Sequence, residues 1–381
     1  GYEIERSLRF NRDDSARLAW TPSSAGNRKT WTFSAWVKLG QTGTNSTNDP
    51  GNGIIFSAGP SGTGNNMALR ITNNGYIGID YYGVVGAYSS ERLRDSSKWY
   101  HCVWRMDTTT GSTANHLRVY VNGTLYYNNS MQLSQNDDTP INNNVEHMIG
   151  VYPYDVTHAY RFDGYLADVY FIDGGGHPTD FAETNSITGE YVPKKYVGSY
   201  GNNGFHLEFA DNSGTTSTTL GKDTSGNSNN WTPANLSVSA GTGNDSLIDT
   251  PTNNYCTFNT SAHVHTGNVT LTNGNLDVAC GSVSGGGGVM ASHVVSSGKW
   301  YWEVTVNSTS SAAVHIGALD EEGTAYNGVH RYDPGLTAES YSYQNNATKY
   351  NNNNNVSYGA TYTDGDVIGV KLDLDNGTLE F

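Results

Sequence analysis

"TWTFSAWVK", Thr30 to Lys38, sets Trp31, Phe33, Ala35 and Val37 against Thr32, Ser34, Trp36 and Lys38 in strict alternation. A period of two belongs to a β-strand with one apolar face, because successive side chains leave opposite sides of an extended backbone. Similar alternation returns in "WYHCVWRM" (Trp99 to Met106), "HLRVYVNG" (His116 to Gly123) and "FDGYLADVYFID" (Phe162 to Asp173). Strand-like runs bounded by Gly, Asn and Pro continue along the chain, and nowhere do apolar residues keep a helical period over successive turns. The expected class is all-β: two antiparallel β-sandwich, jelly-roll-like domains with under about a tenth of residues in helix.

Composition agrees. The 381 residues carry only 15% charged side chains, with 45 glycines and 26 tyrosines, a mixture that favours strands and turns. A net charge of −15 without a basic stripe gives a phosphate backbone nothing to bind, so no nucleic acid partner is expected. No window of about 18 apolar residues exists, so no membrane insertion is expected, and Gly1 heads no basic-plus-apolar leader. Cys102, Cys256 and Cys280 are too few for a disulfide framework. A Cys256–Cys280 bridge is one reading, and plain buried thiols in a reducing compartment are the other. Asn-x-Ser/Thr triplets at Asn122, Asn128, Asn235, Asn268, Asn346 and Asn376 read as turn chemistry rather than as a glycan coat.

After about Val197 the alternation weakens into a long polar stretch rich in Ser, Thr, Asn and Gly. The expected partition is a first sandwich over 1–198, a connector over 199–265 and a second sandwich over 266–381. Within the connector Leu220, Trp231, Leu236, Leu247 and Ile248 are spaced apolar anchors that could lie against a neighbouring sheet. "NNNNN" at Asn351 to Asn355 reads as an exposed polar loop. The closing "DVIGVKLDLDNGTLEF" is a strand, an Asp375-Asn376-Gly377 turn and the start of a return strand.

The ordered set "SLRF" at Ser7, "TWTFSAWVKLG" at Thr30, "KWYHCVWRMD" at Lys98, "LRVYVNG" at Leu117, "IGVY" at Ile149 and "RFDGYLADVYFIDG" at Arg161 resembles the concanavalin A-like laminin-G family over residues 4–175. "SGKWYWEVTV" (Ser297 to Val306), "HIGALDEEG" (His315 to Gly323) and "DGDVIGVKLDLDNGTLEF" (Asp364 to Phe381) resemble the SPRY domain, another two-sheet sandwich that commonly grips peptides. The SPRY pattern continues beyond Phe381, which makes the chain an expected piece of a longer polypeptide. The domain order, with "LGKDTSGNSNNWTPANLS" and "DTPTNNY" between the two parts, resembles virion-surface proteins of bacteriophages, marine ones especially.

The carboxylates and histidines are the residues that could carry chemistry. The strand-borne Glu-x-Asp-x-x-Glu of related glucanases is missing, and Asp320-Glu321-Glu322 reads as a solvated loop. "DTSGNSNNW", Asp223 to Trp231, loosely resembles the structural Asp-box turn of sialidases. His263 and His265 lie two apart in "AHVHT", on one face if extended, and are the candidate metal pair. The laminin-G resemblance leaves calcium as the one open cofactor, with loops around Asp49 and Asp155 as candidates. Tyr81, Tyr82, Tyr152 and Tyr154 are the candidate ligand-binding residues, expected in rim loops where rings stack on sugar faces, with sheet packing as the alternative.

The resemblance implies a non-enzymatic attachment protein at a virion surface, assembled in a host cytoplasm and recognising a host cell-surface glycan or protein. It implies a homotrimer in contact with other virion proteins. The alternatives are a structural, capsid-decorating role and a polysaccharide depolymerase.

Overall fold

The computed structural model describes residues 1–40, 53–60, 65–72, 74–81, 85–129, 132–153, 161–264, 269–280, 287–309, 313–320, 325–326, 329–330 and 334–381. Among them the chain is all-β and antiparallel, and the helical elements are the single 3-10 turns Thr113–Asn115 and Pro178–Asp180. No helix there is long and apolar enough to cross a membrane. The chain divides into two compact units, Gly1–Thr260 with Leu271–Asp277, and Ser261–Thr270 with Val278–Phe381.

The first strands are β1 (Ser7–Phe10), β2 (Arg17–Trp20), β3 (Thr30–Leu39), β4 (Gly53–Ala58), β5 (Met67–Ile71), β6 (Tyr76–Tyr81), β7 (Val85–Arg92), β8 (Trp99–Asp107) and β9 (Leu117–Val121). β10 (Thr124–Asn129), β11 (His147–Ile149), β12 (Gly164–Ile172), β13 (Ala182–Thr184), β14 (Tyr191–Pro193), β15 (Phe205–Leu207), β16 (Thr232–Ala234) and β17 (Ser246–Leu247) follow. They form a first sheet ordered β10-β9-β8-β3-β12-β1-β17, with β15 also on β12, and a second ordered β16-β2-β11-β4-β5-β6-β7. Local sequence sets the joints: between β9 and β10, Asn122 and Gly123 take φ of 46° and 77°, the left-handed pair a two-residue hairpin turn requires.

Between the two sheets lies an aromatic core. Phe33 of the first stacks on Phe56 of the second with ring centroids 4.8 Å apart. Trp31, Phe33 and Val37 are fully buried, as their face of β3 predicts. The buried indoles of Trp31 and Trp104 donate to Thr139 Oγ1 and to the Gly78 carbonyl, both at 2.8 Å, so neither carries the penalty of an unpaired donor.

The polar stretch expected as a connector is a working part of the first unit as far as Thr260. Its strands β15, β16 and β17 pair with β12, β2 and β1, and Leu220 and Trp231 are fully buried in the core. Leu236 packs against that core only partly, and Ile248 is 49% exposed and is no anchor. The Asp223 turn is structural. Its carboxylate accepts from the backbone of His206, Ser225 and Asn229 at 2.8–2.9 Å, closing the loop that delivers Trp231.

The remaining strands are β18 (Phe258–Val264), β19 (Val269–Thr272), β20 (Asp277–Cys280), β21 (Gly288–Ala291), β22 (Lys299–Thr305), β23 (His315–Leu319) and β24 (Ala325–Tyr326). Then come β25 (Val329–His330), β26 (Ser340–Gln344), β27 (Thr348–Asn351), β28 (Asn354–Ser357), β29 (Val367–Asp373) and β30 (Thr378–Glu380). The second unit holds a β22-β29-β30 sheet and a β23-β26-β27-β28 sheet. Val306, Ile316, Tyr343, Tyr362 and Val370 form its buried core, with Trp302 and Ile368 packed partly against it and Leu372 half-buried. The "NNNNN" run is not one loop, because Asn351 closes β27 and Asn354 opens β28 around a turn in which Asn352 and Asn353 have φ of 52° and 55°. None of the three cysteines is in a disulfide. Cys102 is buried, whereas Cys256 and Cys280 are exposed, which corrects the expectation of buried thiols throughout.

Candidate functional site

β5, β6 and β7 turn their inner faces to the core through Met67, Leu69, Ile71, Ile77, Ile79 and Ala87. Alternation therefore sends Ala68, Arg70, Gly78, Asp80, Gly86 and Tyr88 to the outer face of the second sheet. Register lines up Arg70 with Gly78 and Gly78 with Tyr88, and in the next row Ala68 with Asp80 and Asp80 with Gly86. Asp80 sits diagonally between its two partners, forming an ion pair with Arg70 and accepting from the Tyr88 hydroxyl.

Both glycines have a steric purpose. A Cβ on Gly78 would stand 2.7 Å from the Tyr88 ring and one on Gly86 would stand 3.1 Å from it, so the ring lies down across the two bare backbones. The Arg70 guanidinium is 5.8 Å from the ring centroid. The result is a half-buried aromatic plate flanked by a mutually neutralised cation and anion. Such a surface offers a flat, half-buried aromatic face held in place by an ion pair whose arginine is itself buried, and a ring held in this way suits stacking against a polyhydroxylated ring.

Of the tyrosines singled out from sequence, Tyr152 belongs near this face. It is 4% exposed and packs with Ile54 and Ala68, beside a Ser57 hydroxyl that donates to the Val151 carbonyl at 2.6 Å. Tyr81 is the last residue of β6 rather than a loop residue. It points to the other side, packing against the inter-sheet core while its hydroxyl donates to Asn65 Oδ1 at 3.2 Å. Partial burial raises the Tyr81 hydroxyl above the ordinary tyrosine range. Tyr82 and Tyr154 lie outside the described residues, as do Asp49, Asp155 and His265. His263 lies in β18, and its side chain is outside what is described. Among the described residues no group of three or more His, Cys, Asp or Glu is placed to hold a metal.

Arg70, Asp80 and Tyr88 were not singled out from sequence. The signal was present: "MALRI" and "YIGIDY" each carry one charged residue, Arg70 and Asp80, opposite their apolar face, and Gly78 interrupts the second.

A second polar group lies on the outer face of the first sheet. Asp168, in a bulge of β12 with φ of 50°, is 2.6 Å from His206 Nε2 and accepts from the Tyr2 hydroxyl at 2.9 Å. Tyr170 stacks on His206 with centroids 4.0 Å apart. Asp168 and His206 are 1% and 2% exposed, so no substrate reaches the pair and its work is to fasten β15 and the N-terminal segment to β12.

Residues 12–174 match the concanavalin A-like lectin/glucanases superfamily, and residues 299–381 match the SPRY domain. Among solved structures, a putative carbohydrate binding protein from Bacteroides ovatus is similar at 15% identity and a TM-score of 0.41, over 61% of this chain and 58% of that one. A SAP-like pentraxin from Limulus polyphemus is similar at 15% identity and a TM-score of 0.36, over 51% of this chain and 94% of that one. The sialidase CBM40 from Ruminococcus gnavus, bound to α2,3 sialyllactose, is similar at 14% identity and a TM-score of 0.31, over 45% of this chain and 92% of that one.

Proposed function

We propose that the first unit is a non-catalytic glycan-recognition module and that the chain is an attachment protein displayed on a bacteriophage virion. The observation that carries the glycan reading is the Tyr88 ring laid across Gly78 and Gly86 between Arg70 and Asp80. The superfamily match over residues 12–174 supports it. Because Arg70 and Asp80 neutralise each other, the ligand class is an uncharged, hydroxyl-rich host surface glycan rather than a polyanion. The virion reading is supported by the domain order and by the turn motifs around Asp223 and Thr250. It places the protein at the virion surface as a trimer, after assembly in the host cytoplasm.

The SPRY match at 299–381 favours a second reading, a structural or capsid-decorating protein that binds other virion proteins. A glycan array separates the two. The attachment reading expects a defined set of neutral glycans to bind, and Tyr88→Ala to weaken binding at least tenfold, about 1.4 kcal/mol, while the first unit stays folded at the assay temperature and the second transition is unmoved. Binding that is unchanged in Tyr88→Ala removes the site, and an array with no hits favours the structural role. A reducing-sugar assay on any bound polysaccharide should show no cleavage.

A further inference from the structure

Lys38, near the end of β3, is fully buried. Its Nζ lies 2.8 Å from Asp249 Oδ2, 2.9 Å from Asn254 Oδ1 and 2.7 Å from the Tyr255 carbonyl oxygen. Asp249 is 6% exposed, and its other oxygen accepts from the Trp99 indole at 3.0 Å and from the Tyr255 N–H at 3.1 Å. The Tyr165 ring centroid is 5.8 Å from Nζ. The Asn254 carboxamide is gripped at both ends, Oδ1 by the lysine and Nδ2 by donation to the Ser97 carbonyl at 2.8 Å.

A buried ion pair needs an amine and a carboxylate. The carboxamide is the additional member, and it changes the chemistry available. An amine, an amide and a proton-carrying carboxylate in one low-dielectric site are the nucleophile, the electrophile and the acid–base group of a transamidation. Burial lowers the Lys38 pKa below the ordinary lysine range, against the opposing pull of Asp249, and so favours the neutral nucleophilic amine.

We propose that Lys38 and Asn254 join in an intramolecular isopeptide bond, with Asp249 carrying the proton. Across the 2.8 Å contact the ammonium gives a proton to Asp249, leaving a neutral amine and a neutral acid. The amine lone pair attacks Asn254 Cγ, one bond beyond the Oδ1 it already touches, and the carbonyl electrons move to oxygen. Asp249 gives its proton to the amide nitrogen and takes one from the attacking nitrogen. The carbonyl re-forms as the C–N bond to the leaving nitrogen breaks, and ammonia departs with the last proton as ammonium, restoring the Asp249 carboxylate. One C–N bond forms and one breaks, and no oxidant or cofactor enters. Asn254 lies at the exposed end of the cluster, which gives the ammonia a way out.

The bond would tie β3 to the segment after β17 and close a covalent loop around most of the first unit. Cys102, Cys256 and Cys280 form no disulfide that would supply such a tie. The inference is independent of what binds at Tyr88.

Intact-mass measurement of the folded chain decides it. The expected mass is below that of the sequence by one ammonia, about 17 Da, with a branched peptide joining Lys38 to Asn254 after digestion. Asn254→Ala, at an exposed position, and Asp249→Asn should each show the full mass of their own sequences and migrate more slowly in a denaturing gel. A wild-type chain that keeps its full mass after prolonged incubation overturns the proposal. So does an ammonia loss that maps to an Asn-Gly site such as Asn122, where a cyclic imide gives the same mass without a cross-link.

Discussion

β3 in the first unit and β29 in the second carry the same alternation, yet every residue from Trp31 to Leu39 is buried in one, and only Val370 and Asp373 are buried in the other. The difference does not come from the strands themselves. On β3 the second face is roofed by later parts of the chain. Trp36 lies against His101 and Tyr191, and Lys38 is clamped by Asp249, Asn254 and Tyr255. On the β22-β29 pair the second face stays open, with Tyr301 and Val367 64% and 55% exposed beside Lys299 and Lys371. A strand pattern therefore states which face meets the core of its own sandwich, and says nothing about whether the other face is covered.

The largest effect should fall where the smaller core has least to spare. Val370→Asp places an unpaired carboxylate at the fully buried centre of the second unit, at a cost of about 4 kcal/mol or more. Thermal unfolding followed by limited proteolysis should show the second unit lost and the first retained. If both are lost together, the chain is one cooperative fold and the contrast between units is void. Slightly smaller, and confined to the other side, is Trp231→Ala. Removing a fully buried indole should cost the first unit about 3–5 kcal/mol and leave the second transition in place. Were the polar stretch a mere linker, the same change would cost under about 0.5 kcal/mol.

That second test marks where the sequence was legible and where it was not. Trp31, Phe33 and Val37 could be placed in a core because their period is local. Residues 199–265 read as a connector, although the part up to Thr260 belongs to the first unit, because its contribution is polar and distant in sequence. Lys38 finds Asp249, and Arg9 finds Asp245 at 3.1 Å, across more than two hundred residues, and no short window shows such a pair. The site divides in the same way. Tyr152 was found because aromatic residues in a loop draw attention, though it is packed rather than open. Arg70, Asp80 and Tyr88 sit inside strands whose apolar positions dominate the pattern, so their shared face emerges only once three strands are in register.

Acid should also tell the units apart. Burial pushes His101 down to about 3 and His147 to about 4, against 6.5 for an ordinary histidine. Below pH 6.5 the unfolded chain then binds more protons than the native one, so stability falls as pH drops, by about 1.4 kcal/mol per unit for each ring. Asp163, raised to about 7 by burial, works in the opposite direction. The native state holds its extra proton between pH 7 and the unfolded value of 3.8, so stability rises by a similar slope as pH drops through that window. The net expectation is a first-unit loss of up to about 1.4 kcal/mol per unit between about pH 6 and pH 4, with Asp245, also raised, reducing it further. In the second unit Asp373 is lowered to about 2 by hydrogen bonds from Asn376 and Lys299, and its contribution is lost only as pH falls below 3.8. Scanning calorimetry from pH 7 to pH 4 should move the first transition down and hold the second nearly still; equal movement would remove the buried histidines as the cause.

The smallest effect sharpens the comparison at the level of a single glycine. Gly377 closes the β29–β30 turn at φ of 65°, where Asp373 already accepts from the backbone of Asp375 and Asn376. A Cβ there meets nothing within 4 Å, so Gly377→Ala bears only the backbone cost of a left-handed alanine, about 1 kcal/mol, and should lower the second transition slightly. At Gly78 the backbone is ordinary, but a Cβ would fall 2.0 Å from the Ala87 carbonyl and 2.7 Å from the Tyr88 ring. Gly78→Ala should therefore displace the ring and weaken glycan binding, in addition to destabilising the first unit. One glycine is required by its dihedral and the other by what lies on top of it. If Gly78→Ala leaves glycan binding intact while Gly377→Ala behaves as expected, Tyr88 does not need its glycine bed and the plate is not the binding surface.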